Sequence, residues 1–484
     1  MRWALLLVPL GYALFFHALG GVGLLSHDEP RYAAIGQNMA RTGDFITPRL
    51  WDLPWFEKPA LTYWLIAFGT RLGLDAELAA RVPIAVLSLA FCAFVFWWLK
   101  PRFGFDEACV ITAILATNAG WIAYSHLAVT DLPLAVCFGT SMLLLFDWLD
   151  DGEAHWLPWS GVALGFAILA KGLVPLMLAA PVFWFGRHRW RDWPRWLAPA
   201  LAVAAPWYLA CTYHNGWRFI EVFFLQHHFG RFFSKELQHA QPFWYYVPVL
   251  LGLLMPWAPL LAGLRLLGDP RLHFTAAWLG FGFVFFSAST NKLPGYLLPL
   301  IPAAAILLGV AALYAKRMLI PLVIAGALLG LIPIAADVLP GALQVGLTKT
   351  PIRMACIQVG LAVALVTAAL TWFRHRQEGI PGAVFTVAVV TIAGVVWVQR
   401  TVYPVLDEQV SARRLWQSIE SRRGDICTGN LDREWRYGLN YYAGKPLPDC
   451  LVVDKPLILE QRDGPRPQLW QAPPPANPTP ANRP

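Results

Sequence analysis

Side chains that could do chemistry are concentrated in a polar stretch between Ser26 and Pro59. Its charged members are Asp28, Glu29, Arg31, Arg41, Asp44, Arg49, Asp52, Glu57 and Lys58. So dense a set of charges cannot lie in hydrocarbon, so the stretch is predicted to fold outside the membrane. Asp28 is the first candidate acid, since a carboxylate at the mouth of a membrane span could act as a base or orient an acceptor. The alternative is that Asp28 and Glu29 only cap a helix.

The local sequence predicts that Asp28 and Arg31 lie on one short helix. Pro30 suits a first helical turn, apolar residues recur at helical spacing after it, and Gly43 can end the helix in a left-handed cap. We expect this amphipathic helix to lie on the membrane surface. Asp28 and Arg31, three residues apart, would then sit at its wet edge.

A second isolated acid, Asp131, lies in the turn SHLAVTDLP. Isolated cations occur in other short polar breaks, and these are Lys58, Lys171, Lys292 and Arg231. Together they suggest a site for a dianionic group at the lipid boundary, such as a phosphate on a lipid carrier. Tyr296 could donate to that phosphate. Otherwise the lysines snorkel at helix ends, and the tyrosine is interfacial.

Metal binding has a weaker pattern. His227, His228 and His239 flank Arg231, and Glu57 with one of them could hold zinc. The pattern is not specific for zinc, because the ligands would come from distant loops. We expect the chemistry at these acids and cations to require no cofactor, and a bound zinc ion would be structural.

Composition indicates a polytopic helical membrane protein, because 57% of the 484 residues are hydrophobic and only 14% are charged. The net charge of +8 does not indicate nucleic-acid binding, since the basic residues are spread over short loops among apolar runs. About thirteen spans are expected from the length of the runs. They lie near 5–25, 83–99, 108–123, 132–149, 157–170, 173–186, 196–212, 243–264, 274–289, 296–314, 318–337, 354–373 and 381–399.

Basic clusters at Arg187–Arg195, Lys316–Arg317 and Arg374–Arg376 fall on the side of the N-terminus, which is therefore predicted to be cytoplasmic. The loops with isolated polar residues then share the external face. Residues 1–400 would form a transmembrane catalytic core with an external juxtamembrane loop at 26–82.

The composition changes after Arg400. Residues 401–464 are predicted to form a small external α/β domain docked on the membrane part, and 465–484 a disordered Pro-rich tail. Cys427 and Cys450 are the only cysteines in a polar region. If that region is external, they either form a disulfide or remain free thiols.

Several motifs resemble a known family. They are SHDEPRYAAIGQNMARTGDFITPRL, WFEKPALTYWL, AARVP, VTDLPL, LAKGLVP, HHFGRF, QPFWYYVP and KLPGYLLPLIPA, between about residues 26 and 302. In this order they resemble the aminoarabinose transferases of lipid A modification. More broadly, they are similar to bacterial relatives of protein O-mannosyltransferases in the glycosyltransferase-C superfamily.

The resemblance implies a sugar donor carried on undecaprenyl phosphate and a catalytic centre with Asp28, Arg31 and Asp131. It implies contacts to the carrier phosphate from Lys58, Arg231 and Tyr296, with Lys171 a further cationic match. A zinc site would use Glu57 and His228. We expect a monomer in the bacterial inner membrane with a periplasmic active site, acting on lipid A or another envelope glycan.

Three alternatives remain open on the residues. The chain could glycosylate protein, as the O-mannosyltransferases do. It could transport a lipid-linked sugar, although the internal repeats and broken-helix pairs typical of transporters are not evident. It could also be a structural factor, for which the external acids and lysines would be dispensable.

Overall fold

The computed structural model describes residues 4–230, 241–264, 269–462 and 464–472, without the side chains of 4–8 and 227–230. Helices dominate it. The α-helices are α1 Ala4–Phe15, α2 Asp28–Thr42, α3 Leu61–Arg71, α4 Ala76–Phe103, α5 Phe105–Thr117, α6 Ala119–Ser125, α7 Asp131–Leu144, α8 Phe146–Asp150, α9 Leu157–Lys171, α10 Val174–Leu178, α11 Ala180–Phe185, α12 Trp193–Asn215, α13 Trp217–Ile220, α14 Tyr246–Leu253, α15 Pro270–Ala288, α16 Ile301–Tyr314, α17 Leu319–Leu328, α18 Leu331–Val345, α19 Met354–Gln409, α20 Ala412–Ile419 and α21 Arg433–Ala443.

Short helices of other pitch connect them. The 3₁₀ segments are Arg187–Asp192, Phe243–Tyr245, Ala258–Gly263, Pro294–Leu300, Leu347–Lys349 and Glu420–Asp425, and a π-helix spans Glu221–Gly230. The strands are β1 Arg49–Leu50, β2 Leu53–Pro54, β3 Ile426–Thr428, β4 Leu457–Glu460 and β5 Gln468–Gln471.

Every predicted apolar span overlaps at least one of these helices. Within the described ranges, however, only four helices are long and apolar enough to cross a membrane, or five if the bent pair α5 and α6 forms one span. Some of the other apolar runs form shorter helices: α9, for example, ends at Gly172, which has a φ of +67°. The number of thirteen spans therefore stays a prediction.

The polar loop after α1 is folded around helix α2, as its sequence predicts. Gly43 ends this helix with a φ of +76° and donates its N–H to the Met39 carbonyl. Its expected position on the membrane surface stays a prediction, but its exposure to solvent is smaller than expected. Helix α2 is buried over most of its length, because it packs against α3 on one side and α21 on the other.

The segment after α19 forms a small module of α20, α21 and the sheet β3–β4–β5. Strands β3 and β4 are parallel, and β5 is antiparallel to β4. Trp416, Ile426 and Leu459 lie in its own buried core, and Cys427 and Cys450 form a disulfide. Helix α19 continues to Gln409, nine residues beyond the predicted boundary at Arg400.

Hydrogen bonds and ion pairs join this module and the end of α19 to the loop between α1 and α2. Asp407 is buried and accepts from the Gly23 N–H at 2.8 Å and from Arg413 Nε at 3.0 Å. The Tyr442 hydroxyl accepts from the Leu24 N–H and donates to Glu77. The module therefore lies directly beside the loop that leads into Asp28, the first residue of α2.

Candidate active site

A buried ion pair fixes the start of α2. The Glu29 carboxylate is fully buried and receives Nε and Nη2 of Arg81 at 2.7 Å each. It also accepts the backbone N–H groups of Leu25 at 2.7 Å and Ala128 at 3.0 Å. Because these hydrogen bonds satisfy both charges, the pair can persist in the interior. It joins α2 to the turn that leads into Asp131.

Arg31 is the centre of the first charged cluster. Its Nη2 pairs with Asp28, and its Nη1 lies 2.9 Å from Glu57 Oε2. The guanidinium also lies over the rings of Trp55 and Tyr437, with 5.4 and 5.3 Å to their centroids. Burial lowers the pKa of Arg31, but Glu57 and then Asp28 outweigh it and hold that pKa above its ordinary value. Arg31 is therefore a permanent cation that orients two carboxylates.

Arg31 is buried rather than at a wet edge, contrary to our expectation, whereas Asp28 keeps 29% of its side-chain exposure. The contact between them, three residues apart on α2, is as predicted. The physical reason for the burial is that Glu57, Trp55 and Tyr437 supply the partners that water would otherwise provide.

Glu57 lies between two cations, because Lys58 Nζ is 3.6 Å from its Oε1 and Arg31 occupies its Oε2. Among the described residues, no group of three or more His, Cys, Asp or Glu side chains could hold a metal ion. Among the described residues, the Glu57 carboxylate makes ion pairs with Arg31 and Lys58. The His228 side chain and all of Arg231 lie outside the described residues, so the expected zinc site and the expected Arg231 contact stay predictions.

The second cluster joins Asp131, Lys171 and Tyr296. Lys171 Nζ lies 2.5 Å from Asp131 Oδ1 and 4.4 Å from the centroid of the Tyr296 ring. Asp131 begins α7 and Lys171 ends α9, and these two helices pack against each other. Their adjacent ends place an acid, a cation and a phenol together.

The start of α2 and the turn before α7 hold the two clusters near each other, because Glu29, next to Asp28, accepts the N–H of Ala128, three residues before Asp131. The Tyr124 ring lies beside Gly295, next to Tyr296 in the second cluster. Gly295 provides the room for this ring, since a Cβ at Gly295 would lie 2.6 Å from the Tyr124 hydroxyl. The two clusters therefore border one site, where cations could hold a phosphate beside a carboxylate.

Lys292 is placed differently from the other predicted lysines. It is buried and its ammonium donates to the backbone carbonyls of Gln241, at 3.0 Å, and Ser289. Burial lowers its pKa. These contacts join the loop before α14 to the loop before α16, and a carrier-phosphate contact from Lys292 stays a prediction.

Four residues around the site were not singled out from the sequence: Arg81, Trp55, Tyr124 and Tyr437. The motif AARVP contains Arg81. An arginine at the start of an apolar helix needs an acidic partner, and this was the indication that the sequence offered for a buried ion pair. No local pattern indicates the aromatic residues, because their contacts join distant parts of the chain.

In fold and in sequence the chain is similar to membrane glycosyltransferases that use lipid-linked sugars. Residues 57–212 match the family described as dolichyl-phosphate-mannose-protein mannosyltransferase. The solved structure of ArnT from Cupriavidus metallidurans bound to undecaprenyl phosphate is similar, with a TM-score of 0.76 and 26% identity over 92% of this chain and 85% of that one.

Curated relatives agree with the resemblance inferred from the motifs, which is confirmed. The undecaprenyl phosphate-alpha-4-amino-4-deoxy-L-arabinose arabinosyl transferase of Pseudomonas paraeruginosa is 33% identical over 65% of this chain and 60% of its own length. The enzyme of the same name from Pseudomonas aeruginosa strain PAO1 is 33% identical over 64% of this chain and 60% of its own length. The matched region thus spans about 60% of these relatives.

Proposed function

We propose that this chain transfers 4-amino-4-deoxy-L-arabinose from undecaprenyl phosphate to lipid A. The observation that carries the proposal is the pair of neighbouring clusters, Asp28–Arg31–Glu57–Lys58 and Asp131–Lys171–Tyr296. The named activity of the curated relatives supplies the sugar and carrier. Lipid A is the acceptor that the motif resemblance implies.

The reaction breaks the bond between the anomeric carbon and the carrier phosphate oxygen, and the electron pair leaves with the phosphate. A new bond forms between the anomeric carbon and an acceptor oxygen. Lys58 and Lys171 would stabilise the charge that grows on the departing phosphate. Tyr296, whose ring lies against Lys171, would donate its hydroxyl to the same phosphate.

Asp28 would act on the acceptor. The contacts of Asp28 to Arg31 and to His27 are made by Oδ1, and Oδ2 would be directed at the acceptor. A hydroxyl acceptor requires a base, and Asp28 would then take its proton. A phosphate of lipid A is already an anion, and Asp28 would then orient the sugar or the acceptor.

The location follows from the chemistry. A polyprenyl carrier and lipid A are both membrane lipids, so the site would open to the bilayer at the periplasmic face of the bacterial inner membrane. The basic clusters near Arg187, Lys316 and Arg374 would lie at the cytoplasmic face. The chain would act as a monomer, since both clusters come from one polypeptide.

Protein O-mannosylation is the second candidate, because residues 57–212 match the mannosyltransferase family. The two candidates differ in the acceptor. A protein hydroxyl would need Asp28 as a base, whereas a lipid A phosphate would not. Loss of all transfer in Asp28→Asn would favour a hydroxyl acceptor, and substantial retained transfer a phosphate.

Mass spectrometry of lipid A tests the proposal. The chain would be expressed in a bacterial strain that makes the undecaprenyl-phosphate sugar but lacks its own transferase. Aminoarabinose should appear on lipid A with the wild-type chain and fall by at least tenfold with Lys58→Met. An unmodified lipid A together with newly glycosylated envelope protein would replace the proposal with the second candidate.

A further inference from the structure

The module after α19 contacts the candidate site through one face of α21. Trp435 and Leu439, four residues apart, lie in the module's own core. Tyr437 and Tyr441, also four residues apart, pack instead against the main helical core. Helix α21 thus has a second apolar face that belongs to the membrane part of the molecule.

Tyr437 is the residue of this face that reaches the charged cluster. Its ring lies under the Arg31 guanidinium, 5.3 Å from centroid to Cζ. Trp55 lies 5.4 Å from the same Cζ, and Arg31 itself is buried. A guanidinium over aromatic faces is attracted by the ring quadrupoles, and the attraction increases when water is excluded.

Other contacts fix the position of α21 itself. The Tyr441 hydroxyl accepts from Gln37 Nε2 of α2 at 2.6 Å and donates to the Ala76 carbonyl at 3.3 Å. The Tyr442 hydroxyl contacts Glu77 and Leu24. Helix α21 therefore contacts α2, the loop before α2 and the start of α4. These contacts fix the position of Tyr437 relative to Arg31.

We infer that Tyr437 is a positioning residue for transfer: its ring holds the Arg31 guanidinium in the orientation that directs Asp28. The inference rests on the proposed function. It assigns the C-terminal module a part in the catalytic step, in addition to its own packing. Tyr437 contacts Arg31 and would act on the reaction through that residue.

Kinetics of purified variants test this role. Tyr437→Leu removes the aromatic face, so kcat should fall about tenfold, while KM for the lipid-linked donor stays within about twofold because Lys58 and Lys171 are unchanged. Tyr437→Phe keeps the ring and should restore kcat to within about twofold of wild type. Arg436→Ala changes an exposed neighbour on α21 and should leave both parameters unchanged.

A double variant separates positioning from a structural effect. In an Arg31→Lys background the planar guanidinium is absent, so Tyr437→Leu should lower kcat by less than about twofold further. Wild-type kcat in Tyr437→Leu, or an equal additional loss in the Arg31→Lys background, would overturn the inference alone. A wild-type chain without transferase activity would overturn the proposed function, and the inference with it.

Discussion

At the scale of single residues, the site consists of carboxylates that are each held by a cation. Arg31 holds Asp28 and Glu57, and Lys171 holds Asp131. This arrangement orients the acids before substrate binds, which is what positioning catalysis requires. On the proposed function, the carrier phosphate would compete with these carboxylates for Lys58 and Lys171.

Lys171 provides the most direct residue-scale prediction. On the proposed function, Lys171→Met would remove a cation that binds the carrier phosphate and would leave Asp131 without the Lys171 ammonium, so kcat/KM for the lipid-linked donor should fall about ten- to hundredfold. Steady-state transfer assays measure this. Lys100→Met is the matched control, because Lys100 lies near the C-terminal end of α4 and the motif AARVP lies at its start. This variant should retain activity. Equal activity in the two variants would mean that Lys171 is not part of the site.

Metal removal gives a second prediction at this scale. Because the Glu57 carboxylate is engaged by Arg31 and Lys58, transfer should not depend on a divalent cation. Dialysis against EDTA should leave kcat within about twofold, and added zinc should not raise it. A loss of activity that only zinc restores would instead support the predicted site at Glu57 and His228.

The sequence predicted the Asp28–Arg31 contact because helical spacing relates residues three apart. It singled out Asp131, Lys171 and Tyr296 individually, but not the direct pair between Asp131 and Lys171. These residues are 40 positions apart, on two helices whose packing no local pattern specifies. The contacts of Tyr124 and Tyr437 were not predictable for the same reason.

At the scale of elements, helix α2 is the part that other elements are built around. The sequence predicted its ends and its buried apolar face, since Gly43 and the spacing of Tyr32, Ile35 and Met39 are local features. Its burial on nearly all sides was not predicted. Glu29 and Arg31 look like solvated residues in sequence, and only the fold reveals that Arg81 and Glu57 are their partners.

The Glu29–Arg81 pair predicts a large effect on stability. Arg81→Met leaves the buried Glu29 charge unpaired, so the free energy of unfolding should fall by ~3–5 kcal/mol. Denaturation in detergent measures the change. The double variant Glu29→Gln with Arg81→Met should be less destabilised than Arg81→Met alone, and a greater loss in the double variant would contradict this account.

Arg71→Met is the control for that experiment. Arg71 is exposed at the end of α3, and its guanidinium lies over the Phe45 ring. Exposed interactions of this kind contribute about 0.5–1 kcal/mol, so its loss should be small.

At the scale of the whole molecule, apolar run lengths and motif order were enough to predict a helical membrane fold similar to the ArnT structure. They were not enough to count the spans, because four apolar helices among the described residues are only 10–17 residues long. The C-terminal module illustrates the same limit, since polar composition indicates a separate unit but not the surface on which it packs.

The disulfide of this module predicts its behaviour as a unit. Replacing Cys427 and Cys450 by serine opens a covalent link between residues 23 positions apart and should cost ~3 kcal/mol of module stability. Limited proteolysis should then cleave within 412–472 several times faster, with cleavage of the helical core unchanged. Unaltered cleavage of the module would mean that its packing on α2 alone holds it together.

The central claim, that the two charged clusters form one site for sugar transfer from undecaprenyl phosphate, is tested most directly with the purified chain. The chain would be incubated with the aminoarabinose donor and lipid A, and released undecaprenyl phosphate and modified lipid A would be quantified together. We predict equal amounts of both products, at least about a tenfold lower rate for Lys58→Met and for Lys171→Met, and wild-type rates for Asp106→Asn, an exposed acid outside the site. Wild-type rates in both lysine variants, or no transfer by the wild-type chain, would contradict the account.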